Sequence, residues 1–403
     1  MPQAPSTSES SQSSSAWSIF LIFLRLGLTS FGGPVAHLGY FREEFVHRRQ
    51  WLDERHYADL VALCQFLPGP SSSQVGLAIG LQRGGHLGSI AAWVGFTLPS
   101  ALILLLFALG IASWGGNLPQ GILHGLKIVA VAVVAQAVWG MARSLCTDAS
   151  RIVLALGAAL MVLILPGSLA QLGVIFLAGI LGLLLFRSSA PASATSLLEK
   201  HRPLPGIITL ALFFALLAGL PLLAAASNNQ ALAVLDAFYR TGALVFGGGH
   251  VILPLLQAEV VPSGWVDKDV FLAGYGAAQA VPGPLFTFSA FLGGSMSGGY
   301  GPLLNAALCL IAIFLPSFLL VFGVMPFWGR LRSSRHMQAA LAGVNAAVVG
   351  LLLAALYDPV WTSAIHDLKD LALALVALTA LMVWKLPPWL VVLAGGFVGW
   401  GLS

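Results

Sequence analysis

The chain has 403 residues, of which 58% are hydrophobic and 8% charged, with a mean hydropathy of +0.90 and a formal net charge of +4. A soluble domain carries about 25% charged residues, so this composition excludes a surface covered by water and points to one that faces lipid. Lys and Arg fall mostly in loops, as anchoring on the cytoplasmic side requires, which argues against nucleic acid as a partner.

Residues 1–16 are rich in Ser and lack Lys and Arg. Without a basic n-region they read as a disordered tail, not a signal peptide. About thirteen apolar segments follow under the usual span criterion: 17–41, 57–80, 89–113, 121–142, 152–168, 169–186, 205–226, 231–257, 271–294, 302–327, 337–357, 368–385 and 389–402. The polar stretch 187–205, with Glu199, Lys200, His201 and Arg202, separates two halves. The expected organisation is a tail (1–16), a first repeat (17–190), a basic linker with a connecting transmembrane helix (191–230) and a second repeat (231–403). Cys64, Cys146 and Cys309 are far apart in apolar surroundings, so neither a metal site nor a disulfide framework is indicated.

The halves repeat in register. Arg25, Phe31, Gly32, Gly33 and Glu44 match Arg240, Phe246, Gly247, Gly248 and Glu259 at a constant spacing of 215 positions. At a spacing of 214, Trp51, Asp53, Gln65, Pro68, Gly69 and Pro70 match Trp265, Asp267, Gln279, Pro282, Gly283 and Pro284. The stretch from Phe96 to Ser100 matches that from Ile313 to Ser317, and Gly125 and Lys127 match Gly343 and Asn345. Six segments, one linker and six segments place the second half upside down. The fold class expected is an all-α polytopic membrane protein of two inverted-topology repeats. The loop charges agree: 114–121 carries no Lys or Arg, whereas its counterpart carries Arg330, Arg332 and Arg335. The loop with Arg42, Arg48, Arg49 and Arg55 falls outside if 17–41 and 57–80 both cross, and inside if both turn back as re-entrant hairpins. The sequence leaves that open.

Pro68-Gly69-Pro70 and Pro282-Gly283-Pro284 cannot continue a helix. Each ends one half-helix and starts another, whose N-terminus offers free N–H groups and partial positive charge to an anion. Ser71, Ser72, Ser73 and Gln74 follow the first break, and Thr287 and Ser289 the second; their hydroxyls and amides are candidates to replace water around an oxyanion. A plain kink is the alternative, but two interrupted segments in repeat register favour a substrate site. Ser30, Gly32, Gly33, Gly247 and Gly248 form the FGG breaks, where glycine permits unusual angles or close helix packing. Gln65 and Gln279 are buried-looking amides three residues before each PGP. Arg25 and Arg240 lie in apolar sequence, where an arginine costs about 2.5–3.5 kcal/mol, and are candidate counter-charges for an anion. Asp236 stands one turn before Arg240 and makes that residue partly structural. Lys127 is a further intramembrane cation, which attracts anions or pairs with an unidentified carboxylate. Glu44 and Glu259 are candidates for proton coupling, with a solvated helix end as the alternative. His37 and His250 are candidates to titrate near neutrality but lack repeat partners. No P-loop, HExxH motif, dinucleotide fold or nucleophile–base–acid set is visible, so neither a cofactor nor an enzyme is expected.

At these motifs the sequence resembles the chromate ion transporter family in its long, two-domain form. The matching stretches include GLTSFGGPVAHLGYFREEFV, RRQWLDE, QFLPGPSSSQVGLAIG and GFTLPS in the first half. In the second half they include RTGALVFGGGHVILPLLQAEVV, FLAGYGAAQAVPGPLFTF and GVNAAVVGLLLAALYDP. The resemblance runs from Trp17 to Ser403. It implies export of chromate across a bacterial inner membrane, chromate resistance, and two homologous domains of opposite orientation. Sulfate or another tetrahedral oxyanion is an equal fit to the residues; an anion channel, a membrane enzyme or a structural subunit fits less well. The partners expected are the oxyanion and the lipid bilayer, and a homodimer is compatible with the pattern.

Overall fold

The computed structural model describes residues 15–113, 120–165, 167–186, 203–227, 229–246 and 248–402. The Ser-rich tail before Ser15, the basic boundary 187–202 and Gly247 lie outside them. The described residues form helices and turns with no strand, and the chain is an all-α, multi-pass membrane protein. Five helices are long and apolar enough to cross a membrane: Ser71–Ser113, Gly121–Leu145, Leu204–Ala226, Pro302–Leu331 and Arg335–Ala364. Pro302–Leu331 passes through a 3-10 turn at Met325–Phe327, Arg335–Ala364 leaves helical geometry at Asp358, and the first is two arms joined at a kink. Gly84 and Gly85 leave helical geometry there, Gly85 at φ +62°. The second arm folds back so closely that a Cβ on Gly80 would collide with the Gly88 carbonyl.

The segments around FGG and PGP are hairpins, the arrangement that the re-entrant alternative requires. α1 (Ala16–Thr29) has 14 residues and rises about 21 Å, short of the roughly 30 Å bilayer core. The chain turns at Phe31-Gly32 and returns through α2 (Gly33–Arg42) and a π-helical turn (Glu43–Arg48). Phe45 stacks on Phe23 with centroids 5.1 Å apart, so the returning arm lies along the entering one. α3 (Glu54–Phe66) then enters, turns at Pro68-Gly69-Pro70 and returns as the first arm of α4 (Ser71–Ser113). Gln82 Nε2 and His56 Nε2 are 3.1 Å apart, and Arg83 donates to the Trp51 carbonyl at 2.7 Å, so both ends of this hairpin share one base.

After α5 (Gln120–Leu145), α6 (Ala149–Ile164), α7 (Ser168–Leu185) and the linker helix α8 (Pro203–Ala226), the second repeat does the same. α9 (Gln230–Leu244) returns through a 3-10 turn (Gly249–Val251) and α10 (Ile252–Val260), with Arg240 and Glu259 3.1 Å apart across the arms. α11 (Lys268–Ala278) returns through a 3-10 turn (Leu285–Thr287) and α12 (Phe288–Ser295). Ser297 N donates to the Trp265 carbonyl at 3.0 Å at that base. α13 (Pro302–Val324), α14 (Trp328–Arg332), α15 (Arg335–Ala355), the short α16 (Thr362–Ala364), α17 (Leu368–Met382) and α18 (Pro388–Leu402) complete the chain.

The repeats exchange helices. α5 of the first half packs on α17 and α18 of the second, and α15 of the second packs on α6 and α7 of the first. Glycine makes both crossings close: Gly125 abuts Gly395 and Gly399, and Gly343 abuts Ala178 and Gly182. Small residues of this kind let membrane helices approach backbone to backbone. Outside the core, α6, α7, α8 and α18 present exposed Leu, Ile, Val and Phe, the surface expected against lipid tails.

Gly343→Leu or Gly125→Leu must therefore push two helices apart, and overpacking of this kind costs about 1–3 kcal/mol or more. Thermal unfolding of the detergent-solubilised protein is expected to shift down for either variant. Gly157→Ala, at a glycine with open space around it, is expected to unfold like the parent.

Candidate functional site

The four hairpin tips meet, and they meet reciprocally. Gly69 N, in the first PGP, donates to the Val245 carbonyl just before the second FGG at 2.7 Å. Gly283 N, in the second PGP, donates to the Ser30 carbonyl just before the first FGG at 2.9 Å. Each triplet is flanked by prolines that have no N–H, so its single donor is spent on the opposite repeat. Gly69 sits at φ +118° and Gly283 at φ +97°, values that L side chains avoid. The surroundings also forbid a side chain: a Cβ on Gly69 would lie 2.7 Å from Ser317 Oγ, and one on Gly283 2.9 Å from Ser100 Oγ. Ser100 and Ser317 are themselves repeat counterparts. Contacts in which i meets j′ and i′ meets j are those that a two-fold relation generates.

Two cavities open beside these contacts. One, of about 630 Å³, is bordered by Gly32, Gly33, Gln279, Gly283 and Leu285, and so combines the first FGG with the second PGP. The other, of about 710 Å³, is bordered by Gln65, Gly69, Ser71, Gly248 and Gly249, and combines the first PGP with the second FGG. They share Gly32, Gly33, Pro34, Ala137 and His250. Helices begin at their walls: α2 at Gly33, α4 at Ser71, and the 3-10 turns that lead into α10 and α12 at Gly249 and Leu285. N-terminal amides and the aligned peptide dipoles give both cavities partial positive charge without a charged side chain.

The residues expected at the site divide. Gly32, Gly33, Gln65, Gly69, Ser71, Gly248, Gln279 and Gly283 line the cavities; Gln279 Nε2 is buried without a hydrogen bond, whereas Gln65, expected to be buried, is exposed. Pro68, Pro70, Pro282 and Pro284 shape the tips. Ser30, Ser72, Ser73 and Gln74 are buried behind the first PGP. Thr287 and Ser289 behave differently from their expected role, because each hydroxyl donates to its own helix start: Thr287 to Pro284 O at 2.7 Å and Ser289 to Phe286 O at 2.8 Å.

The charged candidates lie away from the tips. Arg25 is exposed on α1 and borders neither cavity. Arg240 is held by Asp236 at 2.7 Å and Glu259 at 3.1 Å, so one cation is shared between two carboxylates and both candidates are already paired. Arg240 borders an apolar groove between α7, α8, α9 and α15. Glu44 is bound by Arg49 at 2.6 Å and Arg48 at 3.2 Å near the hairpin base. Lys127 finds the carboxylate that the sequence could not identify, Asp269 on α11, at 2.9 Å beside a separate cavity of about 740 Å³. Its counterpart Asn345 borders the cavity of the first PGP.

Lys385 is the cation that sequence reasoning missed. It stands in the turn between α17 and α18 and lines the cavity of the first FGG and second PGP, next to Trp389 and Gln136. The Trp389 ring lies 6.0 Å from the Phe31 ring of that FGG. In the sequence Lys385 only marks the end of an apolar segment. The available signal was Pro387-Pro388, an interruption like the PGP breaks, directly after it.

The profile of the chromate transporter family matches residues 17–183 and 232–400, one copy in each half. A chromate transport protein of Pseudomonas aeruginosa is 30% identical over 95% of this chain and 91% of its own length. A probable chromate transport protein of Synechococcus elongatus is 27% identical over 90% of this chain and 88% of its own length. An uncharacterized transporter of Methanocaldococcus jannaschii is 29% identical over 84% and 83%. No solved structure matches. With both matched regions falling on the hairpins and the helices they exchange, the chain belongs to the chromate transporter family.

Proposed function

We propose that the chain is a secondary carrier that exports chromate from the cytoplasm across a bacterial inner membrane and so confers chromate resistance. The observation that carries this reading is the meeting of four hairpin tips around two cavities walled by helix starts. A tetrahedral dianion needs several converging N–H donors, and helix N-termini supply them without a buried counter-cation. Relatives named as chromate transport proteins support chromate as the substrate. Sulfate shares its shape and charge and is the competing substrate.

The charge of the hairpin bases supports inverted orientation. The first repeat carries Arg42, Arg48, Arg49 and Arg55 at its bases beside Glu43, Glu44, Asp53 and Glu54, whereas the second carries Lys268 alone beside Glu259, Asp267 and Asp269, so the contrast lies in the count of Lys and Arg. Excess Lys and Arg marks the cytoplasmic side. The first pair of hairpins then opens to the cytoplasm and the second to the outside, with the tips between them. Rocking one set against the other alternates access.

Chromate release from loaded inverted or right-side-out vesicles, against an empty-membrane control, tests this reading. Release is expected only with the protein present, slowed by sulfate and by collapse of the membrane potential; no release above the control overturns it. Lys385→Gln is expected to raise the half-saturating chromate concentration several-fold, because a cavity-mouth cation mainly governs capture of a charged ligand. Arg240→Ala leaves Asp236 and Glu259 without their cation, a loss worth about 3–5 kcal/mol for a buried network. Membrane protein abundance is expected to fall, whereas Arg25→Ala is expected to keep both abundance and transport. Loss of transport in Arg25→Ala at normal abundance returns that arginine to the site.

A further inference from the structure

The repeats match in backbone, but their tips do not match in polarity. Behind the first PGP lie Ser30, His37, Ser72, Ser73, Gln74 and Thr97, all buried. The same positions of the second repeat hold Val245, Ile252, Phe286, Thr287, Phe288 and Phe314, also buried. Five of the six polar positions have become apolar, and the sixth, Thr287, is satisfied by Pro284 O. The packing is therefore possible with hydrocarbon, and the polar set in the first repeat is not required by the fold.

That polar set is also incompletely bonded. Ser30 Oγ, His37 Nε2, Ser73 Oγ, Gln74 Oε1 and Thr97 Oγ1 are buried without a hydrogen-bond partner. Buried polar groups are normally satisfied, and an unmade bond opposes folding. Ser73 and Gln74 stand in the first turn of α4, Thr97 on its second arm, Ser30 at the end of α1 and His37 on α2; none of the five borders the two tip cavities, and His37 reaches the start of α4 through Ser72. Its Nδ1 is 3.3 Å from Ser72 Oγ in the first turn of α4. Its ring meets Phe96 edge-on at 5.3 Å, and Thr97 follows that residue. The Ser30 backbone lies beside it, and the Ser30 carbonyl takes the Gly283 N–H of the other repeat. Nδ1 shares a hydrogen bond with the Ser72 hydroxyl, which can donate or accept, so in either neutral tautomer one ring nitrogen carries the proton and the other a lone pair.

Many charged and titratable groups of the surrounding elements are engaged elsewhere or exposed: Glu44 holds Arg48 and Arg49, His56 Nε2 meets Gln82 Nε2, and Asp53 and Arg55 are exposed, while Asp59 on α3 is buried. On α3, Tyr57 donates to Leu38 O at 2.6 Å, and the Cys64 thiol is buried among apolar residues. On α2, Arg42 holds Glu54 at 2.8 Å, and Tyr40 is exposed. On α1, Arg25 is exposed. Across the tips, His250 Nδ1 is 2.9 Å from Tyr275 OH. The ring's environment is its burial and the Ser30 backbone, with no charged side chain acting on it. A lone imidazolium in such a place is unfavourable, and a dianion at the start of α4 removes that penalty.

We propose that His37 is the proton-carrying residue of this carrier, taking one proton as the anion enters beside the start of α4 and releasing it as the anion leaves. The inference rests on the anion-carrier reading above. The unprotonated ring nitrogen accepts the proton from water on the open side, giving an imidazolium, and returns it to water when the anion departs; nothing is oxidised or reduced. Anion and proton then raise each other's affinity by the same factor, as linkage demands. The coupling role is thereby moved from Glu44 and Glu259, each already held by arginine, to a residue of the first repeat alone.

The test is chromate binding to the purified, detergent-solubilised protein over the imidazole titration range, with proton uptake followed by an indicator dye in weak buffer. Chromate's own protonation is identical for parent and variant, so their difference reports the protein. The parent is expected to take up about one proton more per bound anion than His37→Gln, and to lose affinity about tenfold per pH unit above the ring's titration. His37→Gln is expected to bind chromate without that additional pH dependence, and His250→Gln to keep it. Equal proton uptake and equal slopes in parent and His37→Gln overturn the inference and leave the carrier reading standing. Failure of the parent to bind chromate at any pH overturns the carrier reading itself. If His37→Gln does not fold, Ser72→Ala reads the same link: loss of the Nδ1 partner is expected to shift the midpoint of the pH profile, and an unmoved midpoint counts against the inference.

Discussion

Two backbone hydrogen bonds, Gly69 N to Val245 O and Gly283 N to Ser30 O, hold the tips of four hairpins against one another. Much of the architecture depends on that pair. A hairpin that stops inside a bilayer ends in backbone groups that lipid cannot satisfy, so the tip must find a protein partner or line a wet cavity. Here each repeat supplies the acceptor for the other's donor. The prolines on either side leave one N–H per triplet, and the glycine between them permits both the positive φ and the approach of Ser317 or Ser100. The same constraint explains the exchanged helices. With α5 on α17 and α18, and α15 on α6 and α7, neither half can be removed without exposing the other's glycine seam.

Duplication creates two equivalent tip regions, and divergence has made them unequal. The first repeat keeps hydroxyls, an amide and an imidazole behind its PGP, whereas the second fills the same space with Phe286, Phe288, Phe314 and Ile252. Behind the second PGP the six positions are filled by hydrocarbon and one bonded hydroxyl, whereas behind the first five polar groups are left with unmet hydrogen bonds. Backbone symmetry suits alternation between two openings, and side-chain asymmetry suits a single loading point for a charged passenger. Neither demand conflicts with the other, because one is met by main chain and the other by side chains.

Much of this was legible in the sequence because glycine and proline report on backbone geometry directly. Constant spacing of FGG and PGP revealed the duplication, and the rule that proline cannot continue a helix located the tips. The basic loop from Arg42 to Arg55 even offered the hairpin solution, though it could not choose it. What resisted reading was side-chain partnership across long separations. Arg240 meets Glu259, and Lys127 meets Asp269, 142 positions away; a lone sequence does not show which intramembrane charge is already neutralised. Hence Arg25 and Arg240 looked like counter-charges for the anion while Lys385, hidden at a segment end, borders the cavity. His37 was set aside because it lacked a repeat partner, and that absence is the asymmetry that singles it out.

The central claim is that the oxyanion sits among the hairpin tips and not beside one of the ion-paired cations. An experimental structure of the protein soaked with chromate, with the chromium located by its anomalous scattering, tests it most directly. The account predicts a chromium position in the cavities bordered by Gly33, Ser71 and Gly283. A chromium position in the separate cavity beside Lys127 and Asp269, or against Arg240, with the tip cavities free of chromium, would contradict it.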